Sequence, residues 1–155
     1  QLDRFMLKVV IDYPTSLDER QMLGRYRDGL RIHDVDSLKI RPVTGGDEIL
    51  KLRDSLKSVV AEDPMIAYIS DIVRQTRDWS TISVGASPRA GISLIMIAKA
   101  LASVRGRTFV IPDDVKSVSS AVLRHRILLK PESEIEGMKT DDTIKDLLQT
   151  VKVPK

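Results

Sequence analysis

The stretch Gly85-Ala86-Ser87-Pro88-Arg89-Ala90 marks a helix start, and the helix it opens organises the rest of the chain. Ser87 suits the N-cap, because its hydroxyl can accept from a free backbone N–H of the first turn. Pro88 falls at the first helical position, where its missing N–H is not needed and its fixed φ matches the helix. Residues 90–104 are apolar almost all round, with Ser93, Lys99 and Ser103 the exceptions. A helix with so narrow a polar face is expected in the middle of a domain. It should end at Arg105-Gly106, with Gly106 in the left-handed conformation that closes many helices.

Arg89 is out of place in this pattern. The first turn of a helix favours an anion, and a cation there costs a few tenths of a kcal/mol, roughly up to 1. Two readings follow. The side chain reaches into solvent or pairs with a nearby carboxylate, or an anionic ligand reverses the sign. A helix N-terminus combined with a guanidinium makes a good phosphate site.

Outward from this helix, composition bounds the answer. A chain of 155 residues makes one domain, or one domain and a piece of another. Hydrophobic residues at 42% and charged residues at 30% are ordinary for a globular protein with a core. Aromatic residues are scarce at 4%, so that core should be aliphatic. The absence of Cys removes disulfides, thiolate metal sites and Cys nucleophiles together, and suits a cytoplasmic protein. No apolar run is long enough to span a bilayer, and no signal-peptide pattern is visible. The net charge of +3 does not by itself argue for nucleic acid.

In chain order, Phe5, Leu7, Val9 and Ile11 alternate with Met6, Lys8 and Val10, the pattern of a strand apolar on both faces. No further strands with crossover helices follow. The segment therefore reads as the last strand of a sheet whose other members are elsewhere. It should be frayed, pair with residues 38–43 or 108–111, or pair between copies. Tyr13-Pro14 stops it, and either Thr15 or Ser16 caps a helix running to about Arg27 and ending near Gly29. Residues 31–43 form a connector, with an extended candidate at 38–40. A second helix should start at residues 44–47 and carry Ile49, Leu52, Leu56, Val59 and Val60 on one face. A third is signalled by Asp63-Pro64, with Ile66, Ile69, Ile72 and Val73 inward.

Residues 80–86 read as a loop, and residues 108–110 as briefly extended. A helix from Pro112 should bury Val115, Val118, Val122 and Leu123. Ile111 stands where a capping Ser or Thr would be expected, which weakens that helix start by about 1 kcal/mol. Residues 130–140 read as a polar loop, and residues 140–151 as a last helix with Ile144, Leu147, Leu148 and Val151 inward. The expectation is a mainly α fold: a bundle of about five or six helices around the central apolar helix, with one short N-terminal strand.

Motifs that would carry catalytic chemistry are mostly lacking from the sequence. The chain contains no Gly-rich phosphate loop ending in Lys-Ser/Thr and no Gly-x-Ser-x-Gly elbow. His33 and His125 carry no metal-ligand spacing, so no metal site is expected. Glu132, Glu134 and Glu136 read as a solvated acidic patch. Arg124-His125-Arg126 with Lys130 reads as cations decorating a helix C-terminus, which the dipole favours. Trp79 should pack under the neighbouring loop.

Four elements nevertheless resemble a known family. Arg77, Gly85-Ala-Ser-Pro-Arg-Ala90, Arg105-Gly-Arg-Thr-Phe-Val-Ile-Pro-Asp-Asp-Val115 and Val122-Leu-Arg-His-Arg-Ile127 are similar to the C-terminal lid of MoxR-family AAA+ ATPases. Gln1-Leu-Asp-Arg-Phe5 and Tyr13-Pro14 resemble the end of the family's ATPase core. Pro42-Val-Thr44, Asp47-Glu-Ile49 and Val151-Lys-Val-Pro154 also look familial. The resemblance implies residues 1–14 as the end of the core and 15–155 as a helical lid with a tail helix. It implies ATP and Mg2+ in the complete protein, with none expected on this part alone, because the phosphate loop, magnesium-binding acids and sensor-1 residue lie upstream in the family. By similarity, Arg89 is the sensor-2 arginine, with Ser87 and Pro88 beside the nucleotide, acting in its own or a neighbouring subunit. Arg4 matches the arginine finger that enters a neighbour's site; the alternative is a salt bridge with Asp3 or a core acid.

Guanidinium groups suit both roles, since phosphoryl transfer spreads negative charge over the γ-phosphoryl oxygens. The implied partners are the protein's own core domain, neighbouring subunits in a hexameric ring and a client that the sequence does not identify. Membrane and nucleic acid are not expected partners. The competing readings are a stand-alone basic helical module binding nucleic acid through Arg105, Arg107, Arg124 and Arg126, supported by a pI near 9.2, and a plain protein-interaction bundle.

Overall fold

A computed structural model describes residues 1–33, 38 and 40–154. Among these residues the chain forms seven α-helices and one two-stranded sheet. The helices are α1 (Ser16–Arg27), α2 (Gly46–Ser55), α3 (Asp63–Asp78), α4 (Pro88–Val104), α5 (Pro112–Leu123), α6 (Pro131–Ile135) and α7 (Thr140–Thr150). The strands are β1 (Ile82–Val84) and β2 (Leu128–Leu129), and 3-10 turns occupy Leu2–Arg4 and Leu56–Ser58. Two compact units result: Gln1–Val9 together with Arg53–Lys155, and Val10–Leu52.

The first unit holds the core. α4 packs most extensively against α5, and also against α3. Its inward face is Ala90, Leu94, Ala98 and Ala102, spaced one every four residues and all fully buried. Three alanines on one ridge let the α5 backbone approach closely, so that Val115, Val118, Val122 and Leu123 fill the space. Ile144 and Leu147 of α7, with Val151 just after it, close the core, and Leu148 is half-buried against it. These inward sets are the ones their spacing predicts.

α4 is less enclosed than its composition suggests. Ile92 is 60% exposed and Met96 50%, so one apolar face points outward. On α3, Ile66 is likewise 43% exposed, and the inward positions are Met65, Tyr68, Ile69, Ile72, Val73 and Thr76. The α3 N-cap is Glu62 rather than Asp63, with no side-chain cap bond.

The expected N-terminal strand does not form. Residues 5–15 carry no strand assignment, and Phe5, Val9 and Ile11 are exposed. A strand needs a neighbour to satisfy its backbone, and no described segment supplies a ladder here. The Lys8 N–H instead donates to the Ala121 carbonyl at 2.8 Å. Residues 59–60 also leave the helical pattern: α2 ends at Ser55, and Val60 makes a parallel bridge to Phe109. The Val60 N–H donates to the Thr108 carbonyl at 2.8 Å, and the Val110 N–H to the Val60 carbonyl at 2.9 Å. The brief extension expected near 108–110 is part of this bridge.

Two further elements lie where the sequence reads as loop. β1 pairs antiparallel with β2, Ile82 opposite Leu129 and Val84 opposite Leu128. Strands this short show no period-two alternation to detect. α6 falls within 130–140, with Glu132, Glu134 and Glu136 exposed around it.

In the second unit Thr15 caps α1. Its hydroxyl accepts from the Asp18 N–H at 3.2 Å and donates to the Asp18 carboxylate at 2.6 Å. Gly29 follows the helix at φ +93°, a left-handed turn that a side chain would resist. At the start of α2 the Thr44 hydroxyl donates to Glu48 at 2.6 Å, which holds the Glu48 carboxyl below its usual range. Neither α1 nor α2 buries a side chain. The extended candidate at 38–40 lies partly outside the described residues.

Candidate functional site

The tip of α4 is set by the C-terminal turn of α3. Thr76 Oγ1 donates to the Val73 carbonyl at 2.6 Å and accepts from the Ala86 N–H at 2.9 Å. Arg77 Nε donates to the Ala86 carbonyl at 3.0 Å. Both backbone groups of Ala86 are thus held by adjacent residues of α3. Gly85 passes so close that a Cβ there would lie 2.7 Å from the Arg77 Cα. Glycine is needed at this position for backbone contact rather than for unusual dihedral angles. This latch delivers Ser87 to the N-cap and Pro88 to the first turn.

Ser87 Oγ accepts from the Arg89 N–H at 3.3 Å. It also lies 3.1 and 3.0 Å from the two carboxylate oxygens of Asp3, to which it donates. Pro88 and Arg89 are exposed. Among the described residues the Arg89 guanidinium has no hydrogen bond or ion pair, so it stands free at the positive end of α4. It is not sealed against a carboxylate.

Arg4 lies in the 3-10 turn Leu2–Arg4, exposed, with its guanidinium 5.4 Å from the centroid of the Phe5 ring. The acid beside it in sequence is taken by a different arginine. Arg126 Nε stands 3.3 Å from Asp3 Oδ1, and its side chain is wholly buried. Arg126 also donates to the Asp3 carbonyl at 3.3 and 3.2 Å and to the Phe5 carbonyl at 2.5 Å. Its remaining bonds reach the Val122 carbonyl at 3.1 Å and the Ser93 hydroxyl at 3.0 Å. Burial lowers the Arg126 pKa, Asp3 opposes that shift, and the nearby charge of Arg89 adds to it. His125 Nε2 is 3.0 Å from the Phe5 carbonyl.

Arg126 is the residue that the sequence reading misplaces. Its place in Arg124-His125-Arg126 groups it with the surface cations at the end of α5, yet it is buried. The signal was present: the inward stripe Val115, Val118, Val122 continued by four residues lands on Arg126.

The other cations of the basic cluster are also engaged. Arg105 donates to Asp114 at 3.0 Å, and Arg107 donates to both of its oxygens at 2.7 and 2.6 Å. Arg124 pairs with Asp141 at 2.9 Å. Asp114 is 0% exposed and also accepts from the Ile111 N–H at 3.1 Å. That last bond is one half of a capping box, so α5 recovers part of what Ile111 lacks as a cap. Burial pushes the Asp114 carboxyl up, but Arg107, the Ile111 N–H and Arg105 outweigh it and hold the carboxyl below its ordinary value. Trp79 is half-buried against the core. Among the described residues no group of three His, Asp or Glu side chains could hold a metal ion, and no helix is long and apolar enough to cross a membrane.

These features define a helical lid of the AAA type. The AAA lid domain model matches residues 74–147, which span the α3 latch, α4, the Asp114 clamp and most of α7. Two relatives cover nearly the whole chain. The uncharacterized protein YeaC of Bacillus subtilis is 33% identical over 99% of this chain and 47% of its own length. Chaperone MoxR1 of Mycobacterium tuberculosis is 32% identical over 100% of this chain and 42% of its own length. A crystal structure from Cytophaga hutchinsonii, described as a candidate ATPase, superposes with a TM-score of 0.85 at 30% identity, over 99% of this chain and 48% of that one. The AAA lid match, the MoxR chaperone relative and the solved structure together support a MoxR-family AAA+ lid. It spans about half the length of the curated relatives it matches.

Proposed function

We propose that the chain completes the nucleotide site of a MoxR-type AAA+ ATPase, with Arg89 as the sensor-2 arginine and Arg4 as the arginine finger for a neighbouring subunit. The observation that carries this reading is the free guanidinium of Arg89 at the N-terminal tip of α4. A cation placed where the helix dipole already favours anions gains its purpose from a phosphate. Ser87 and Pro88 set the approach of the helix to that phosphate. ATP and Mg2+ would be held mainly by a core domain. This chain's residues would orient the phosphates and stabilise charge developing on the γ-phosphoryl oxygens.

In this reading residues 1–14 end the core, and residues 15–155 form the lid. The assembly is a cytoplasmic hexameric ring with a chaperone-like role toward a client protein, in keeping with the name of the mycobacterial relative. The basic-module reading loses weight because Arg105, Arg107, Arg124 and Arg126 all face internal carboxylates.

The test is ATP hydrolysis by a full-length MoxR-type protein carrying this lid. Arg89→Ala should weaken nucleotide binding and hydrolysis, and Arg4→Ala should abolish hydrolysis while nucleotide still binds. Unchanged hydrolysis and nucleotide-dependent assembly in both variants would reject the assignment.

A further inference from the structure

We propose that Asp3 and Arg126 are positioning residues that fasten the turn bearing Arg4 to the tip of α4 bearing Arg89. The inference rests on the roles proposed above for those two arginines, and its geometry is independent of them. Asp3 immediately precedes Arg4, and its carboxylate reaches across to Ser87, the N-cap of α4. Arg126 holds the same turn from beneath, through the Asp3 carboxylate and the carbonyls of Asp3 and Phe5. Its guanidinium is anchored in turn by Ser93 of α4 and Val122 of α5. One buried cation therefore ties together the N-terminal turn, the central helix and the end of α5.

A buried guanidinium is an expensive way to hold three backbone segments, since its desolvation must be met by complete hydrogen bonding. Here that bonding goes largely to a segment whose other fastenings are separate bonds through Ser87, His125 and Ala121. The 3-10 turn Leu2–Arg4 buries no side chain, and Phe5 is largely exposed. The tip of α4 is secured separately by Thr76, Arg77 and Gly85. Loss of the clasp should therefore free Arg4 and leave Arg89 in place.

That asymmetry gives the test a readout that general destabilisation would not copy. In the full-length protein, Arg126→Gln should lower kcat for ATP hydrolysis as Arg4→Ala does and leave the KM for ATP near wild type. Hydrogen exchange at the Lys8 amide should accelerate by about tenfold or more, while α7 amides keep their protection. If Arg126→Gln fails to fold, Asp3→Asn supplies the same measurements, because it removes the charge from a partly exposed side chain and leaves the core intact. Unchanged exchange at Lys8 in the folded variants would overturn the proposal. So would faster exchange with normal kcat in a protein that Arg4→Ala inactivates. Failure of the sensor and finger reading would show differently, as wild-type hydrolysis by Arg4→Ala and Arg89→Ala, with the exchange result still deciding whether the clasp exists.

Discussion

The Asp3 carboxylate and the Ser87 hydroxyl, 84 positions apart in the chain, meet at 3.0 Å. Ser87 thus serves two structures at once, capping α4 and binding the N-terminal turn. Ser87→Ala should lower the unfolding free energy by about 1 kcal/mol, the usual cost of losing an N-cap. Ser87→Asp separates the two functions. Aspartate normally caps as well as serine, but here its carboxylate would face that of Asp3. Urea denaturation should show Ser87→Asp less stable than wild type, and equal stability would mean the Asp3 contact contributes nothing.

Two glycines at the start of α4 should respond in opposite directions. Gly85→Ala forces a methyl to within 2.7 Å of the Arg77 Cα and Cγ and 2.8 Å of its N, so the α3 main chain would have to yield as well as the side chain. It should cost roughly 2–3 kcal/mol, as overpacking typically does. At Gly91 a Cβ would meet Ile69 and Val73 at an ordinary 3.8 Å. Gly91→Ala should be neutral or gain up to about 1 kcal/mol from helix propensity. Thermal unfolding of the two variants side by side checks the pair.

The Arg89 side chain makes no bond among the described residues, and its backbone N–H bond to Ser87 survives substitution, so stability should not require the guanidinium. Arg89→Ala should change the unfolding free energy by less than about 0.5 kcal/mol, with a small gain from removing a cation at the helix tip. A larger loss in a chemical melt would reveal an internal partner and weaken the phosphate assignment.

Asp114 should be the most costly carboxylate to neutralise. Arg105, Arg107 and the Ile111 N–H all converge on a side chain that is 0% exposed. Asp114→Asn should destabilise by roughly 2–3 kcal/mol, moderated because both arginines retain access to water. Its folded pKa lies below the ordinary 3.8, so its contribution is complete above that value. The contribution falls as pH drops below 3.8 toward the folded pKa, where the native carboxyl takes up its proton. Wild type should therefore lose stability across that acid window, and Asp114→Asn should show a shallower loss in pH-dependent melts.

Much of the helical layout was legible in the chain because its signals are local. Thr15 or Ser16, Ser87-Pro88 and Pro112-Asp113-Asp114 announce helix starts through bonds that span at most four residues. The inward faces of α5 and α7 follow from spacing alone. The errors sit where a local pattern meets a distant partner. Val59 and Val60 continue a helical stripe, yet Val60 takes its hydrogen bonds from the segment around Phe109. Residues 5–11 alternate like a strand, but a ladder requires a neighbour.

The candidate site divides along the same line. Residue order alone was enough to place a cation at the tip of an apolar helix, because capping and the helix dipole act within one turn. Only the folded chain decided which arginines stay free. Ion pairing depends on side chains brought together from distant positions, such as Arg126 with Asp3 and Arg107 with Asp114, while Arg89 remains without a carboxylate. Whether a charge holds the structure together or stands ready for a ligand is settled by which opposite charge packing carries within reach.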